Sequence, residues 1–294
     1  MKHKVPLLVA VMLAACGQPP NRGVDAVFLN AAVWTVNDAA PMAEAVAING
    51  DEIVYVGDNA GALELAGDNT VRHDLTGRML LPGFIDVHIH ALGERAVHEA
   101  LDAIEVARAA QPDSTTRYTL CHIQVISDQD LPRFARLGVI AQSTPLWASY
   151  DTYGQQFVSD DQFQRFWRFR SLHDLGVRLT WGSDFPASGA GLLGMSPVLQ
   201  MEIGHTRQNP GEADAPIQPR ESERLDLETL IQGYTINAAY QLHMEDEIGS
   251  IEVGKKADLV VLDRNLFEID PYQIHETKVL MTLLGGEIVY EAGD

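Results

Sequence analysis

The sequence is poor in cysteine and in positive charge. Cys16 and Cys121 are its only cysteines among 294 residues, so the protein can form at most one disulfide and must depend on its hydrophobic core. Its 21 lysines and arginines face 41 aspartates and glutamates, which gives a formal net charge of -20. Because so acidic a chain repels phosphate backbones and has no basic stripe, we expect no nucleic-acid partner.

Residues 1–15 have the pattern of a secretory signal peptide. Two lysines precede an apolar run that is too short to span a bilayer. The run ends in Leu-Ala-Ala directly before Cys16, which resembles the lipobox of bacterial lipoproteins, where this cysteine is acylated. We therefore expect export, a lipid anchor on Cys16, a tether at residues 16–24 and, because Gly17 follows, a periplasmic position at the outer membrane. Lipidation would leave Cys121 as the sole thiol; the alternative is an ordinary secretory signal with an incidental Cys16.

The two ends of the remaining chain are rich in predicted strands. Residues 25–80 and 247–294 contain apolar alternations broken by turn residues, at 49–51 and 285–286, that are typical of hairpins. We expect these two segments to meet in one composite β-sandwich. Residues 81–246 would then form a central domain between them.

The central domain alternates between helical and strand-like patterns. Apolar residues recur at helical spacing over 94–110, and a second helix is predicted over 163–175. Strand-like segments lie at 119–125, 138–145 and 177–184. Strands that alternate with helices predict a parallel α/β sheet.

Four residues of this domain have the chemistry of a metal site. His88 and His90 are two apart in an apolar strand pattern, so both side chains should point to the same face. His122 falls in the next predicted strand and Asp184 ends another. Three imidazoles and a carboxylate are a plausible ligand set for a divalent cation such as zinc, which lowers the pKa of a bound water to about 7. Asp184 could take the proton of that water and pass it to a leaving nitrogen.

Segments spread over most of the chain share one further pattern. They are GRMLLPGFIDVHIH (77–90), the strand of His122, FRSLHDLGVRLTWGSDFPAS (169–188), YTINAAY (234–240), EIGSIEVGKKADLVVLDRNLF (247–267) and KVLMTLLGGEIVYE (278–291). Together they resemble the amidohydrolase superfamily, specifically its amidohydrolase family 3 branch. The resemblance implies a metal-dependent (β/α)8 barrel of the TIM type with a composite β-sandwich, acting on amide or related C–N bonds of small molecules. It also implies His88 and His90 as ligands from the first strand, His122 from the sixth and Asp184 from the eighth.

The barrel that this resemblance implies is too long for the chain. His90 belongs both to the first-strand HxH pair and to residues 90–96, which match the family's fifth-strand segment. Leu81 to Tyr240 is 160 residues, whereas a (β/α)8 barrel takes about 250 and rarely fewer than about 200. Four strands are recognisable in that span. We therefore expect an incomplete (β/α)8 barrel that lacks strands two to four.

The resemblance also bears on the number of metal ions. The family often bridges two metals through a carboxylated lysine, but no lysine lies between residues 5 and 254. Cys121 should face away from His122 on its strand, so we read it as a buried filler and not as a ligand. One metal ion is therefore expected.

Two other segments carry weaker signals. The aromatic residues of 163–169 should pack a helix against the sheet. Residues 205–224 are polar and rich in proline and acid, so we expect a mobile loop that gates the substrate.

Two functions follow from these observations. The first is a lipid-anchored metallohydrolase of amide-like, non-peptide C–N bonds. The second is a truncated, catalytically inactive relative whose incomplete barrel exposes strand edges.

Overall fold

The computed structural model describes residues 23–83 and 90–293, which form an α/β protein with three sheets. No helix in this part of the chain is both long and apolar enough to cross a membrane. The strands are β1 (Ala26–Leu29), β2 (Ala32–Trp34), β3 (Met42–Ala43), β4 (Ala45–Asn49), β5 (Glu52–Gly57), β6 (Val71–Asp74), β7 (Met79–Pro82), β8 (His90–Ala91), β9 (Thr119–His122), β10 (Ile140–Ser143), β11 (Leu179–Trp181), β12 (Leu259–Leu262), β13 (Val279–Leu284) and β14 (Glu287–Glu291).

The α-helices are mostly short, and the longest has 17 residues. They are α1 (Asn59–Leu65), α2 (Glu94–Ala110), α3 (Leu131–Leu137), α4 (Asp160–Phe163), α5 (Phe169–Asp174), α6 (Pro197–Thr206), α7 (Leu227–Tyr234) and α8 (Ile236–Gln241).

The first sheet has the strand order β5-β4-β1-β6 and comes entirely from the N-terminal segment. Strands β4 and β5 pair antiparallel across a two-residue turn, with Asn49 opposite Glu52. Gly50 in this turn has φ 62°, a conformation that glycine adopts without steric cost. The hairpin that the sequence predicted at residues 49–51 is thus confirmed.

The second sheet joins the two ends of the chain. Its order is β14-β13-β12-β7-β2-β3, with β7 and β12 antiparallel. The hairpin predicted at Gly285 and Gly286 connects β13 to β14. Phe28 of the first sheet packs in the same buried cluster as Leu80 and Val261 of the second, so the two sheets bury apolar surface together, which stabilises both by about 25 cal/mol per Å².

The third sheet is parallel and carries the candidate site. Its order is β11-β10-β9-β8, and all three pairings are parallel. Helices α5, α7 and α8 pack on β11, whereas α2 packs on β8. The parallel α/β arrangement expected of the central domain is therefore confirmed. One core cluster contains Leu81 and Leu262 of the second sheet together with Trp181 of the third, so the second and third sheets share buried apolar side chains. The predicted bounds of the domains stay a prediction.

The helix predicted over 94–110 is confirmed as α2, which buries Val97, Leu101 and Ile104 on one face. The helix predicted over 163–175 is wrong in its extent. Two short helices, α4 and α5, are separated there by a non-helical piece in which Phe166 pairs with Val125 as an isolated β-bridge and Trp167 has a left-handed backbone, with φ 54°. The bulky side chains of this piece are buried, but the backbone between the helices is not helical.

Residues 205–224 do not form the simple surface loop that their composition suggested. Arg207, Gln208, Gln218 and Glu223 are each buried, with 0 to 3% of their surface exposed. Glu223 accepts hydrogen bonds from the backbone N–H and the hydroxyl of Ser171. The segment is thus packed against the α/β part by its polar side chains.

Candidate active site

Two of the predicted ligands meet at the carboxyl end of the parallel sheet. His122 is the last residue of β9, and His90 begins β8, where it lies opposite Cys121 in the register. The imidazole rings of His90 and His122 have centroids 4.5 Å apart and planes inclined by 45°. His122 is buried, whereas His90 is exposed. The pair therefore lies at the edge where parallel α/β proteins place their active sites.

The backbone at the end of β9 is held in an unusual conformation. His122 has φ 67° and Ile123 has φ 45°, and such an angle at a β-branched residue costs on the order of 1–3 kcal/mol. The hydroxyl of the buried Ser143 donates to the His122 carbonyl oxygen at 2.8 Å, and the Ile123 N–H donates to the Ala91 carbonyl oxygen at 3.0 Å. Both neighbouring strands thus fix the turn that orients His122.

Asp184 lies three residues beyond β11, at the same end of the sheet. It also has a left-handed backbone, with φ 54°. The Ser188 N–H donates to the Asp184 carbonyl oxygen at 2.8 Å, and the Phe185 N–H donates to the Ser183 hydroxyl at 3.2 Å. These two hydrogen bonds close a compact turn at Asp184.

His90, His122 and Asp184 line one cavity of about 690 Å³. The cavity is open to solvent on one side, and its surface is mostly apolar. Gln124 and Asp151 add two further polar side chains to its lining. A volume of this size is suited to a small organic molecule.

The residues of this site fit a metal only in part. Two imidazoles from neighbouring strands are donors that zinc and related divalent ions take. Within residues 23–83 and 90–293, however, no three His, Cys, Asp or Glu side chains form a group that could hold a metal ion. His88 lies outside the described residues, so the set of His88, His90, His122 and Asp184 stays a prediction. Cys121 is fully buried, in keeping with its reading as a filler.

Sequence reasoning missed the aromatic side of the cavity. Trp147, Tyr153 and Phe157 line it, and they fall within 11 residues of one segment that has two short 3-10 helices and no strand. The only signal for them in the sequence is that density of aromatic residues beside Asp151. Phe166 and Trp167 complete the wall, so the predicted aromatic cluster packs the core and also forms part of the cavity.

A buried arginine holds the backbone of two residues of the aromatic side by hydrogen bonds. The guanidinium of Arg207, which is fully buried, donates to the carbonyl oxygens of Phe166 at 3.1 Å and Trp167 at 2.9 Å. It also donates to the carbonyl oxygens of Gln218 at 3.1 Å and Pro219 at 2.8 Å. Burial lowers the pKa of Arg207 to about 10, so the side chain stays charged at neutral pH.

The same segment reaches the cavity by a second route. The Asp151 N–H donates to the side-chain oxygen of Gln218 at 2.9 Å. The Asp151 carboxylate in turn accepts from the Gly154 N–H at 2.7 Å, which closes the turn that carries the aromatic residues. Residues 205–224 therefore hold cavity-lining backbone in place through buried hydrogen bonds.

Comparison with known proteins gives a consistent family. The sequence model of the amidohydrolase family matches residues 89–290. The N-substituted formamide deformylase of Arthrobacter pascens is 31% identical over 221 residues, which cover 74% of this chain and 39% of that protein. Protein LONG AFTER FAR-RED 3 of Arabidopsis thaliana is 28% identical over 208 residues, which cover 70% of this chain and 34% of that protein. The chain thus spans less than two fifths of the length of these relatives.

A solved structure of low sequence similarity shares the fold. An uncharacterised metal-dependent hydrolase from Pyrococcus furiosus superposes with a TM-score of 0.65 at 12% identity, over 84% of this chain and 99% of the other. At that identity the likeness concerns the architecture alone.

Proposed function

Because this chain belongs to the amidohydrolase family, we propose that it is a metal-dependent hydrolase of small molecules that contain amide-like, non-peptide C–N bonds. The observation that carries the proposal is the contact between the His90 and His122 rings on a cavity that Asp184 also lines. Imidazoles and a carboxylate at the carboxyl edge of a parallel sheet are the groups that metal-assisted hydrolysis needs.

The proposed roles follow from the chemistry of each group. His88, His90, His122 and Asp184 would hold one divalent metal, for which zinc suits the nitrogen donors. When bound, such an ion supplies a Lewis acid and a water of lowered pKa. The Asp184 carboxylate accepts a proton from the attacking water and returns it to the leaving nitrogen. The aromatic wall positions the apolar part of the substrate and excludes bulk water from it.

The wider setting of the enzyme is part of the same proposal. We propose that the four-stranded parallel sheet is part of a shortened (β/α)8 barrel and that the other two sheets form a composite β-sandwich. We also propose a lipid anchor on Cys16 that holds the protein at the outer membrane, facing the periplasm. Cys16 lies outside the described residues, and its sequence context supports this anchor.

A second candidate is an inactive relative that keeps the fold without the chemistry. Two observations favour it: the parallel sheet of the described residues has four strands, and no three potential ligands come together among them. In that case the cavity would bind small molecules without turnover.

Metal analysis of the purified full chain separates the two candidates. The variants are His122→Ala, Asp184→Asn and, as a matched control, His243→Asn, which changes an exposed histidine whose φ of 59° asparagine also tolerates. One equivalent of metal in the wild type and the control, lost in His122→Ala, supports the hydrolase. Amide hydrolysis that disappears in folded Asp184→Asn supports the role of the carboxylate. Absence of metal and of hydrolysis in the wild type supports the inactive relative.

A further inference from the structure

The mouth of the cavity is bordered by large apolar side chains that are in contact with water. Tyr153 and Phe157, which line the cavity, are 72% and 70% exposed. Leu192 and Leu193 are 79% and 68% exposed, and Phe185 is 51% exposed. We call these five side chains the apolar rim. A soluble protein rarely leaves so many large apolar groups together on one surface unless they meet another molecule.

The two segments that carry the apolar rim lie side by side. Residues 153–157 follow β10 and residues 185–193 follow β11, and these two strands are neighbours in the parallel sheet. Gly189 and Ala190 of the second segment line a smaller cavity together with Tyr153 of the first. The apolar rim is therefore one surface at the carboxyl end of the sheet, next to the candidate active site.

The segments of the apolar rim carry no charge. Residues 152–159 and 185–195 contain no Asp, Glu, Lys, Arg or His, although 21% of the residues of the chain are charged. An ionised side chain loses its hydration when it enters lipid, so a surface without such side chains enters the head-group region at little cost. Leucine, phenylalanine and tyrosine side chains gain free energy there because their apolar surface leaves water.

Two other groups of exposed apolar side chains are interrupted by carboxylates. Strand β14 exposes Ile288, Val289 and Tyr290, but the exposed Glu287 and Glu291 lie at either end of them. Helix α1 exposes two leucines on either side of an exposed glutamate. The apolar rim is thus better suited to contact with lipid than either of these groups.

A lipid surface fits the apolar rim better than a second copy of the chain does. Two copies that each have a formal net charge of -20 repel each other, whereas zwitterionic lipids do not repel the protein. A second copy on the rim would also close the mouth of the cavity, whereas a lipid surface leaves it open to molecules dissolved in the lipid. The proposed anchor on Cys16 brings the two together. Residues 16–22 span at most about 25 Å, which is less than the width of about 40–50 Å of a fold of this size.

From these observations we infer that the apolar rim is a membrane-docking surface, which enters the head-group region of a zwitterionic bilayer and turns the mouth of the cavity towards it. The inference goes beyond the hydrolase proposal and takes from the proposed anchor only the proximity of a bilayer. The docked side chains would lie about 5–10 Å below the lipid surface, as in other interfacial contacts.

Site-specific fluorescence of the purified full chain on phosphatidylcholine vesicles tests the inference. Gln156→Cys places a thiol at an exposed position beside the apolar rim and removes none of its side chains. Val106→Cys is the matched control, because it replaces a residue that is 70% exposed near the end of α2 that leads to the start of β9. Each variant is labelled with an environment-sensitive dye. The wild type, labelled in the same way, gives the contribution of Cys16, whereas Cys121 is fully buried.

We expect a nitroxide held near the lipid head groups to quench the dye at position 156 at least about threefold more than the dye at position 106. A nitroxide deep in the acyl chains should quench it less. In the Gln156→Cys chain, Leu192→Ser combined with Leu193→Ser should lower the quenching about threefold or more, because it removes apolar surface from the rim. Circular dichroism checks that the combined variant folds, and Phe157→Ser replaces it if it does not.

The outcomes are separate from those of the proposed function. Equal quenching at the two positions, no quenching at position 156, or quenching that the serine substitutions leave unchanged each overturns the inference. A dye response at position 156 that grows with protein concentration in the absence of lipid also overturns it, in favour of a second copy on the rim. Quenching at position 156 in a chain whose Cys16 carries no lipid supports the inference while the anchor proposal fails. A chain that hydrolyses amides without quenching at position 156 refutes it and leaves the hydrolase proposal standing.

Discussion

Replacing the buried Arg207 by methionine should destabilise the fold by about 3–9 kcal/mol. The substitution keeps an unbranched side chain of similar length and removes every donor of the guanidinium. Carbonyl oxygens of Phe166, Trp167, Gln218 and Pro219 then lose that donor in a buried place. The Trp167 oxygen keeps the Phe169 N–H at 2.9 Å, so three carbonyls bear most of the loss.

Two opposing terms set the magnitude. Hydrogen bonds to a charged donor are worth about 1.5–3 kcal/mol each, so the four together contribute about 6–12 kcal/mol. Burial of the cation opposes this, since the lowering of the Arg207 pKa to about 10 corresponds to roughly 3 kcal/mol. Because burial lowers the Arg207 pKa, this penalty is fully present below about pH 10 and is relieved only as the pH rises above that value. The lost hydrogen bonds outweigh the relieved penalty at neutral pH.

Urea unfolding followed by tryptophan fluorescence measures the difference directly, because Trp167 lies at the affected backbone. Arg207→Lys should also be destabilised, since the ammonium group of lysine cannot donate to all four carbonyl oxygens that the planar guanidinium group reaches. Arg170→Met is the control, because Arg170 pairs with Asp174 on a partly exposed helix surface and should change stability by less than about 1 kcal/mol. A free energy of unfolding for Arg207→Met within about 1 kcal/mol of the wild type would refute this reasoning.

Three further substitutions test other parts of the fold and the site. Arg117 lowers the pKa of the Glu245 carboxyl to about 2, so Glu245→Gln should cost about 1–3 kcal/mol above pH 5, and urea titrations should show the gap closing as the pH falls towards 2. Ser143→Ala removes the hydroxyl that fixes the carbonyl at the end of β9, so calorimetric titration of the apoprotein should show zinc binding weakened about tenfold in a chain that still folds. Gly233→Ala would place a methyl group 2.0 Å from the buried Trp181 ring nitrogen, and the overlap should outweigh the better helix propensity of alanine and lower the melting temperature.

The parts of the fold that the sequence predicts correctly are those that depend on local patterns of apolar, polar and turn residues. The hairpin at Gly50 follows from a turn residue between two alternating runs, and α2 follows from Val97, Leu101 and Ile104 on one face. The contact of His90 with His122 follows from their place at the ends of successive predicted strands, since parallel strands bring those ends together.

What the sequence did not reveal depends on distant partners. The aromatic residues at 163–169 suit a helix by spacing, but the bridge from Val125 to Phe166 and the left-handed backbone of Trp167 interrupt the helix there. The burial of Arg207 depends on carbonyl oxygens about 40 residues away, which no local composition encodes. The composition of this segment therefore predicts a mobile loop, whereas its Arg207 side chain is buried and hydrogen-bonded to the backbone around it.

The pairing of β7 with β12 has a consequence for how this chain folds. Leu81 lies opposite Val260, so these two neighbouring strands in the middle of the second sheet are synthesised far apart in time. The ribosome adds about 5–20 residues per second, so on the order of ten to forty seconds pass between the synthesis of β7 and that of β12. During that interval the edge of β7 that pairs with β12 has no native partner, and long-range closure is intrinsically slow. The nascent chain is thus most prone to aggregate before its last strands emerge, and a chaperone that shields β7 would raise the yield more than one acting on the finished fold.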